Sequence, residues 1–295
     1  MAGRDLLAAY LGTLAAERRL SPHTLSAYGR DLARLREAAD AAPEALDASG
    51  LRRRIAGLAA HGLSGRSIGR TLSAWRGFYR WLLRRHAIAV DPCAGLHPPK
   101  AQRRLPASLS PDQARALFQV EPRGLLEVRD AAMFELLYSS GLRLAELASL
   151  DVGAMPGIAA GEVTVTGKRG KTRIVPVGRK AREAAARWLD RRNELARPGE
   201  PALFVGRSGL RLSRRAIEMR LARWARLAGT PLGVHPHMLR HSFASHLLQS
   251  SGDLRAVQEM LGHASIRTTQ VYTHLDFQHL AAVYDAAHPR ARKKS

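Results

Sequence analysis

The chain is poor in the features that would place it outside the cell or in a membrane. Its single cysteine, Cys93, cannot close an intrachain disulfide, so a reducing cytoplasm is the default expectation. No uninterrupted apolar run approaches the ~18 residues of a membrane span. The opening Met1-Ala2-Gly3-Arg4-Asp5 lacks the layout of a signal peptide, which again points to the cytoplasm and to no membrane partner. Acidic side chains are also scarce, and none of them form the kind of cluster that cradles Mg²⁺. A phosphate-binding loop of the form G-x-x-x-x-G-K-[ST] is missing too, so neither a nucleotide nor a metal cofactor is expected.

What is present is basic. Lys+Arg 47 against Asp+Glu 25 leaves a formal charge of +22 over 295 residues, which calls for a polyanion such as nucleic acid as partner. A GC-rich genome inflates arginine and explains part of that surplus, but need not lift it so far above Asp and Glu. The preference for Arg over Lys also suits forked contacts to phosphate. Hydrophobic residues at 45% can fill real cores, and the length fits two domains better than one.

Periodicity divides the chain accordingly. Leu6, Leu7, Tyr10, Leu11 and Leu14 predict a helix over residues 4–19. Ser21-Pro22 then marks the start of a second, carrying Leu25, Tyr28, Leu32 and Leu35. Asp47 opens a third, to residue 58, and residues 67–85 form a fourth, with Ile68, Leu72, Trp75, Phe78, Tyr79 and Leu82 on it. These four make a small basic bundle over residues 1–86, whose aromatics read as core in preference to base-stacking platforms. Residues 87–108, with Pro92, Pro98, Pro99, Pro106, Lys100, Arg103 and Arg104, read as a linker.

The second domain, residues 109–295, opens on Ser110-Pro111, another N-cap and first-turn proline. A long helix over 125–140 stops at Gly141. Residues 163–166 and 172–177 alternate as strands around Gly167-Lys168-Arg169-Gly170-Lys171, a hairpin with a glycine-bearing tip. Further helices are expected at 179–196, 213–228, 237–250, 253–262, 265–275 and 277–286, and a short strand at 202–205. The expected fold class is mainly α, with a small antiparallel sheet in the second domain.

Six groups in that domain make chemical sense together: Arg143, Lys168, His237, Arg240, His263 and Tyr272. Cutting a phosphodiester without metal needs cations to meet the charge that builds on its non-bridging oxygens, and two guanidiniums are shaped for that. The leaving sugar oxygen needs a proton, which a lysine on a hairpin tip can deliver. A tyrosine nucleophile, with a pKa near ~10, needs a base or cationic surroundings. A covalent phosphotyrosine then conserves the bond energy, so that resealing needs no ATP. His237 and Arg240, three apart on a helix, share a face and can reach one anion. His263 follows Leu261-Gly262, where a glycine permits close approach.

The blocks Gly141-Leu142-Arg143-Leu144-Ala145-Glu146-Leu147, Gly167-Lys168, His237-Met238-Leu239-Arg240-His241, Leu261-Gly262-His263 and Tyr272 together resemble the catalytic signature of the tyrosine recombinase/integrase family. The resemblance spans both domains, in order. It implies an N-terminal four-helix core-binding domain of SAM-like fold and a mostly helical catalytic domain. It further implies that Arg143 and Arg240 clamp the scissile phosphate and that Lys168 protonates the leaving 5′ oxygen. His237 would take or share the tyrosine proton, His263 would hydrogen-bond the phosphate, and Tyr272 would form a 3′-phosphotyrosine. The segments 250–255, 273–280 and 285–290 resemble the family's chromosome-dimer resolvases. The implied partners are double-stranded DNA at a dif-like site, a XerD-like recombinase in a heterotetramer, and an FtsK-type DNA translocase as activator. The stripe Phe277, Leu280, Val283 and Tyr284 would dock into a neighbouring protomer, with folding back onto its own domain as the alternative.

Two residues depart from the family pattern: Ala145 stands where many relatives have Ser, and Arg169 where Gly is common. The second makes Lys171 an alternative acid. Tyr10, Tyr28, Tyr79, Tyr138 and Tyr284 are assigned to cores, His241 to a structural role, and Glu146 to orienting a cation. Zinc between His237 and His241 is a rival reading, although Met238 stands where H-E-x-x-H requires Glu. Rival functions are a type IB topoisomerase, which shares the chemistry, and a non-enzymatic DNA-binding protein, which the charge alone would support.

Overall fold

A computed structural model describes residues 5–17, 20, 22–37, 42–85, 87–99, 108–167, 170, 172–230, 233–253, 257 and 260–261. The chain divides into two compact units, Met1–Arg104 and Leu105–Ser295. Among the described residues, no helix is long and apolar enough to cross a membrane.

The first unit consists of four helices, α1 (Leu6–Ala16), α2 (Pro22–Glu37), α3 (Ala48–Ala60) and α4 (Gly65–Arg84). Side-chain caps set three of the starts. The Asp5 carboxylate accepts from the Leu7 and Ala8 amides, Asp47 from Gly50, and Ser64 from Ser67. The last cap explains why the fourth helix begins at 65 and not at 67. Tyr10, Trp75, Phe78 and Tyr79 are buried together, with Tyr10 and Phe78 ring centroids 5.8 Å apart, so the bundle's aromatics form a core. Tyr28 packs at the edge of that core. Asp31, fully buried, accepts from Arg70 Nε at 2.7 Å and from the Thr71 hydroxyl at 2.9 Å, tying α2 to α4. Residues 87–99, read as the start of a linker, lie against this unit, because Cys93 and Leu96 belong to its core.

The second unit is organised around α6 (Leu125–Ser140), whose side chains from Ala132 to Ser140 are buried on every side, as a central helix demands. The short α5 (Pro111–Gln119) precedes it, with Ser110 and Gln113 closing a reciprocal capping box. After α6 come α7 (Leu144–Ala148) and α8 (Met155–Ala160), two short helices for which no periodicity was read. The hairpin follows: β1 (Glu162–Thr166) pairs antiparallel with β2 (Thr172–Pro176), Val163 opposite Val175 and Thr166 opposite Thr172. Then come α9 (Arg179–Arg192), α10 (Arg214–Leu227) and α11 (Pro236–Ser251); α9 and α11 pack on α6.

Two expectations need correction here. The strand at 202–205 is a buried loop with single bridges only, Asp151 to Ala202 and Val205 to Arg211. Its backbone is satisfied by separate segments, Leu203 N donating to Leu150 O and Leu212 N to Phe204 O, so an apolar run that reads as a strand forms no ladder. The helix expected to reach 196 stops at Arg192, where that side chain turns to donate from Nε to the Ala202 carbonyl at 2.9 Å. Of the region expected to be helical at 253–262, residue 253 is described and lies outside a helix, while residues 257, 260 and 261 are described and helical. The helices expected at 265–275 and 277–286, with Phe277, Leu280, Val283 and Tyr284, lie outside the described residues.

Candidate active site

The site is built where the end of α6 meets α11. Gly141 closes α6 in the left-handed conformation, φ +57°, which a side chain resists. It is also pressed against Phe243 of α11: a Cβ at 141 would stand 2.5 Å from the ring's Cδ1. Glycine therefore serves the turn and the close approach of the two elements at once. Two residues later Arg143 caps α7, and its neighbour across the gap is Arg240 on α11. Arg240 donates from Nη1 to the Gly141 carbonyl and from Nη2 to the Leu261 carbonyl. Arg143 donates from Nη2 to that same Leu261 carbonyl at 3.2 Å. Two guanidiniums far apart in the chain thus converge on one oxygen.

Glu146 holds this arrangement from below. Its carboxylate accepts from the Arg143 amide at 2.7 Å and from Arg143 Nη1 at 2.8 Å. It also takes a forked pair from Arg173 of β2, Nη1 at 2.6 Å and Nη2 at 2.9 Å. Arg173 Nε donates to the Met260 carbonyl at 3.1 Å, so the hairpin, α7 and the chain just before Gly262 are joined through one ion pair. Burial alone would raise the Glu146 carboxyl, but these donors and the guanidinium charges hold it down at about 2. Glu146 thus orients a cation, as its place one turn beyond Arg143 suggested, and it meets a second cation as well.

Burial, and then the positive charges of Arg143 and Arg173, bring Arg240 down to about 9, which leaves it a cation at neutral pH. A site with three guanidiniums, two of them on its one carboxylate and the third beside them, carries surplus positive charge, the condition for gripping an anion. His237 sits one turn before Arg240 on α11 and is exposed, as is His241. His235 caps that helix, its Nδ1 accepting from the Met238 amide at 3.2 Å. Burial and the nearby imidazoles of His237 and His241 hold His235 below its ordinary value.

The far side of α11 is anchored by a buried network. The Ser242 hydroxyl accepts from the Leu109 amide at 2.8 Å and donates to the Met238 carbonyl at 2.9 Å. His246 Nε2 lies 3.0 Å from the Leu109 carbonyl, and its Nδ1 lies 2.8 Å from the Tyr138 hydroxyl. The carbonyl can only accept, so Nε2 carries the proton and Tyr138 donates to Nδ1. These contacts fix the register of the helix that carries His237 and Arg240, and they place Tyr138 in a core role.

Of the six residues singled out from the sequence, the structure brings Arg143 and Arg240 together and places His237 on the same helix as Arg240. Lys168, His263 and Tyr272 lie outside the described residues, as does Lys171; Gly170 of the hairpin tip is described, at φ +73°. Arg173 was missed. A charged residue on the buried face of a strand, between Thr172 and Ile174, signals a buried anion partner, and strand alternation could have shown it.

Comparison with known proteins gives the family of the chain. Residues 107–279 match the phage integrase family, and residues 7–86 match the phage integrase N-terminal SAM-like domain. A protein of Azotobacter vinelandii named tyrosine recombinase XerC is 56% identical over 295 residues, covering 98% of this chain and 97% of that one. One of Ralstonia pickettii with the same name is 52% identical over 310 residues, covering 98% and 94%. Among solved structures, the XerH site-specific recombinase bound to a palindromic difH substrate matches with a TM-score of 0.69 at 22% identity, over 95% of this chain and 84% of that one. At that identity the last likeness is one of fold.

Proposed function

Since the chain belongs to the phage integrase family, the site-specific tyrosine recombinases that break and rejoin DNA, we propose that Tyr272 is the residue that opens the strand. In this reading the Tyr272 phenol oxygen attacks the scissile phosphorus while its proton passes to His237. The bond from phosphorus to the 5′ oxygen breaks, and Lys168 supplies the proton that this oxygen takes up. The product is a 3′-phosphotyrosine and a 5′ hydroxyl; attack by a 5′ hydroxyl reverses the step and reseals the strand without ATP. Arg143 and Arg240 meet the charge on the non-bridging oxygens, and His263 donates a hydrogen bond to one of them.

The observation that carries this reading is the sharing of the Leu261 carbonyl by Arg143 and Arg240. Two guanidiniums arranged around one oxygen can be arranged around one phosphate oxygen. Residues 1–86 would act as the core-binding domain and 109–295 as the catalytic domain, with 87–108 between them, on double-stranded DNA in the cytoplasm. The name XerC shared by close relatives, and the difH substrate bound to the XerH structure, support a dif-like target. By the resemblance of the sequence, the partners would be a XerD-like recombinase in a heterotetramer and an FtsK-type translocase as activator.

The test is a suicide duplex with a nicked dif-like site, incubated with the full chain with and without a XerD-like protein. A covalent adduct is expected with the wild type and none with Tyr272→Phe, which should still bind the duplex. An adduct that persists in Tyr272→Phe moves the nucleophile elsewhere. Relaxation of arbitrary supercoiled plasmids by the chain alone would favour topoisomerase chemistry over site-specific exchange.

A further inference from the structure

We propose that Arg173 is a positioning residue for strand cleavage: by occupying the Glu146 carboxylate it leaves the charge of Arg143 available to the DNA phosphate. The inference rests on the reading of Arg143 as a phosphate ligand, and goes beyond it in assigning a task to a residue that cannot touch DNA. The Arg173 side chain is 5% exposed and that of Glu146 3%, whereas Arg143 is 37% exposed. Only Arg143 of the two arginines on this carboxylate can reach an anion arriving from solvent.

Charge balance gives the reason. Arg143 and Arg173 both pair with the one carboxylate of Glu146, and Arg240 stands nearby on two backbone carbonyls, so three guanidiniums and one carboxylate leave two positive charges for the phosphate. A buried carboxylate cannot stay unpaired. Without Arg173, Glu146 would therefore take Arg143 as its sole counter-ion, and one of the two charges would be spent inside the protein. The geometry matches that division of labour. Arg173 offers its two Nη groups to the two carboxylate oxygens as a fork, the stronger arrangement, while the Arg143 guanidinium gives the carboxylate Nη1 and turns Nη2 toward Leu261. Arg173 Nε also fixes the Met260 carbonyl, one residue before the carbonyl on which Arg143 and Arg240 meet. Side-chain and backbone contacts thus both run from Arg173 to the position of Arg143.

The test uses the full chain on the suicide duplex, measuring the single-turnover rate of adduct formation at saturating DNA together with Kd. Arg173→Met should slow cleavage by about 100-fold, with Kd within about threefold, because the loss concerns one aligned cation and not overall phosphate binding. Arg173→Lys, which keeps the charge but not the fork, should fall between the wild type and Arg173→Met. The deciding variant is the double Glu146→Gln with Arg173→Met. It removes both charges of the pair and releases Arg143, so it should cleave about tenfold faster than Arg173→Met alone. A part that merely held the fold together would show no such recovery. Wild-type cleavage by Arg173→Met, or a double variant no faster than Arg173→Met, overturns the proposal. Should Arg173→Met fail to fold, the double variant decides: cleavage as slow as that of Arg143→Ala overturns it. Arg143→Ala also separates the two levels of the reading. If it cleaves normally, the site assignment itself falls; if it is crippled while Arg173→Met is not, only the role of Arg173 falls.

Discussion

Replacing Gly141 by alanine should damage stability and cleavage together, by amounts that the geometry sets. The residue sits at φ +57°, where an L side chain costs about 1–2 kcal/mol. Its new Cβ would stand 2.5 Å from Cδ1 and 2.8 Å from Cε1 of Phe243, a ring that is fully buried and has nowhere to turn. Relieving that overlap by strain in the core costs about 1–3 kcal/mol. Against this, alanine returns about 0.4–1 kcal/mol by restricting the unfolded chain. The net expectation is a loss of about 1–5 kcal/mol from the second unit. Restoring ordinary contact requires α11 to retreat from Gly141 by about 1 Å, and a displacement of that size at a reacting centre can cost about 100-fold in rate. Urea unfolding of the full chain, followed by tryptophan fluorescence, should show the loss. Gly12→Ala is the control: Gly12 lies in α1 with nothing within 4 Å of the added Cβ, so it should gain about 0.5–1 kcal/mol. Adding Phe243→Leu to Gly141→Ala should recover part of the loss, giving a coupling that single substitutions do not predict. A Gly141→Ala protein as stable and as active as the wild type would refute the reasoning.

Two further outcomes follow from contacts in each unit. Gly77→Ala in α4 would bring a Cβ to 2.2 Å from the Tyr10 hydroxyl, so it should destabilise the first unit by about 1–3 kcal/mol, and Tyr10→Phe should relieve most of that in the double variant. Acid should weaken the second unit in two windows. His246, held below its usual 6.5 by burial, contributes stability above that pH which is lost as the pH falls and the unfolded chain takes up its proton. Glu146, held at about 2 against an ordinary 4.5, contributes roughly 3 kcal/mol that is present above pH 4.5 and lost on the way down to 2. Unfolding free energies across pH 2–7 should show the second loss vanish in Glu146→Gln, and a slope unchanged by that substitution would contradict it.

Much of the fold could be read locally. Ser110 with Pro111, Asp47 before its helix, and Gly141 at the end of α6 are signals whose physics is confined to a few neighbouring atoms, and each marks the boundary the structure shows. The hairpin likewise follows from alternation around a glycine-bearing tip. Other features were beyond local reading. Helices of five and six residues, α7 and α8, are too short to display a period. The buried loop at 202–205 has the composition of a strand but draws its hydrogen bonds from distant segments. For the site, residue chemistry singled out Arg143 and Arg240, yet their meeting depends on the contact of Gly141 with Phe243, which no spacing reveals. For Arg173, strand alternation shows a charge on the buried face, but its partner, Glu146, lies on another element.

The most direct test of this arrangement is a structure of the full chain covalently joined to a suicide duplex. Arg143 and Arg240 should each place a guanidinium nitrogen about 3 Å from oxygens of the same phosphate, that phosphate being the one bonded to Tyr272, with Arg173 still on Glu146. Arginines on different phosphates, or a phosphate attached to another side chain, would contradict it.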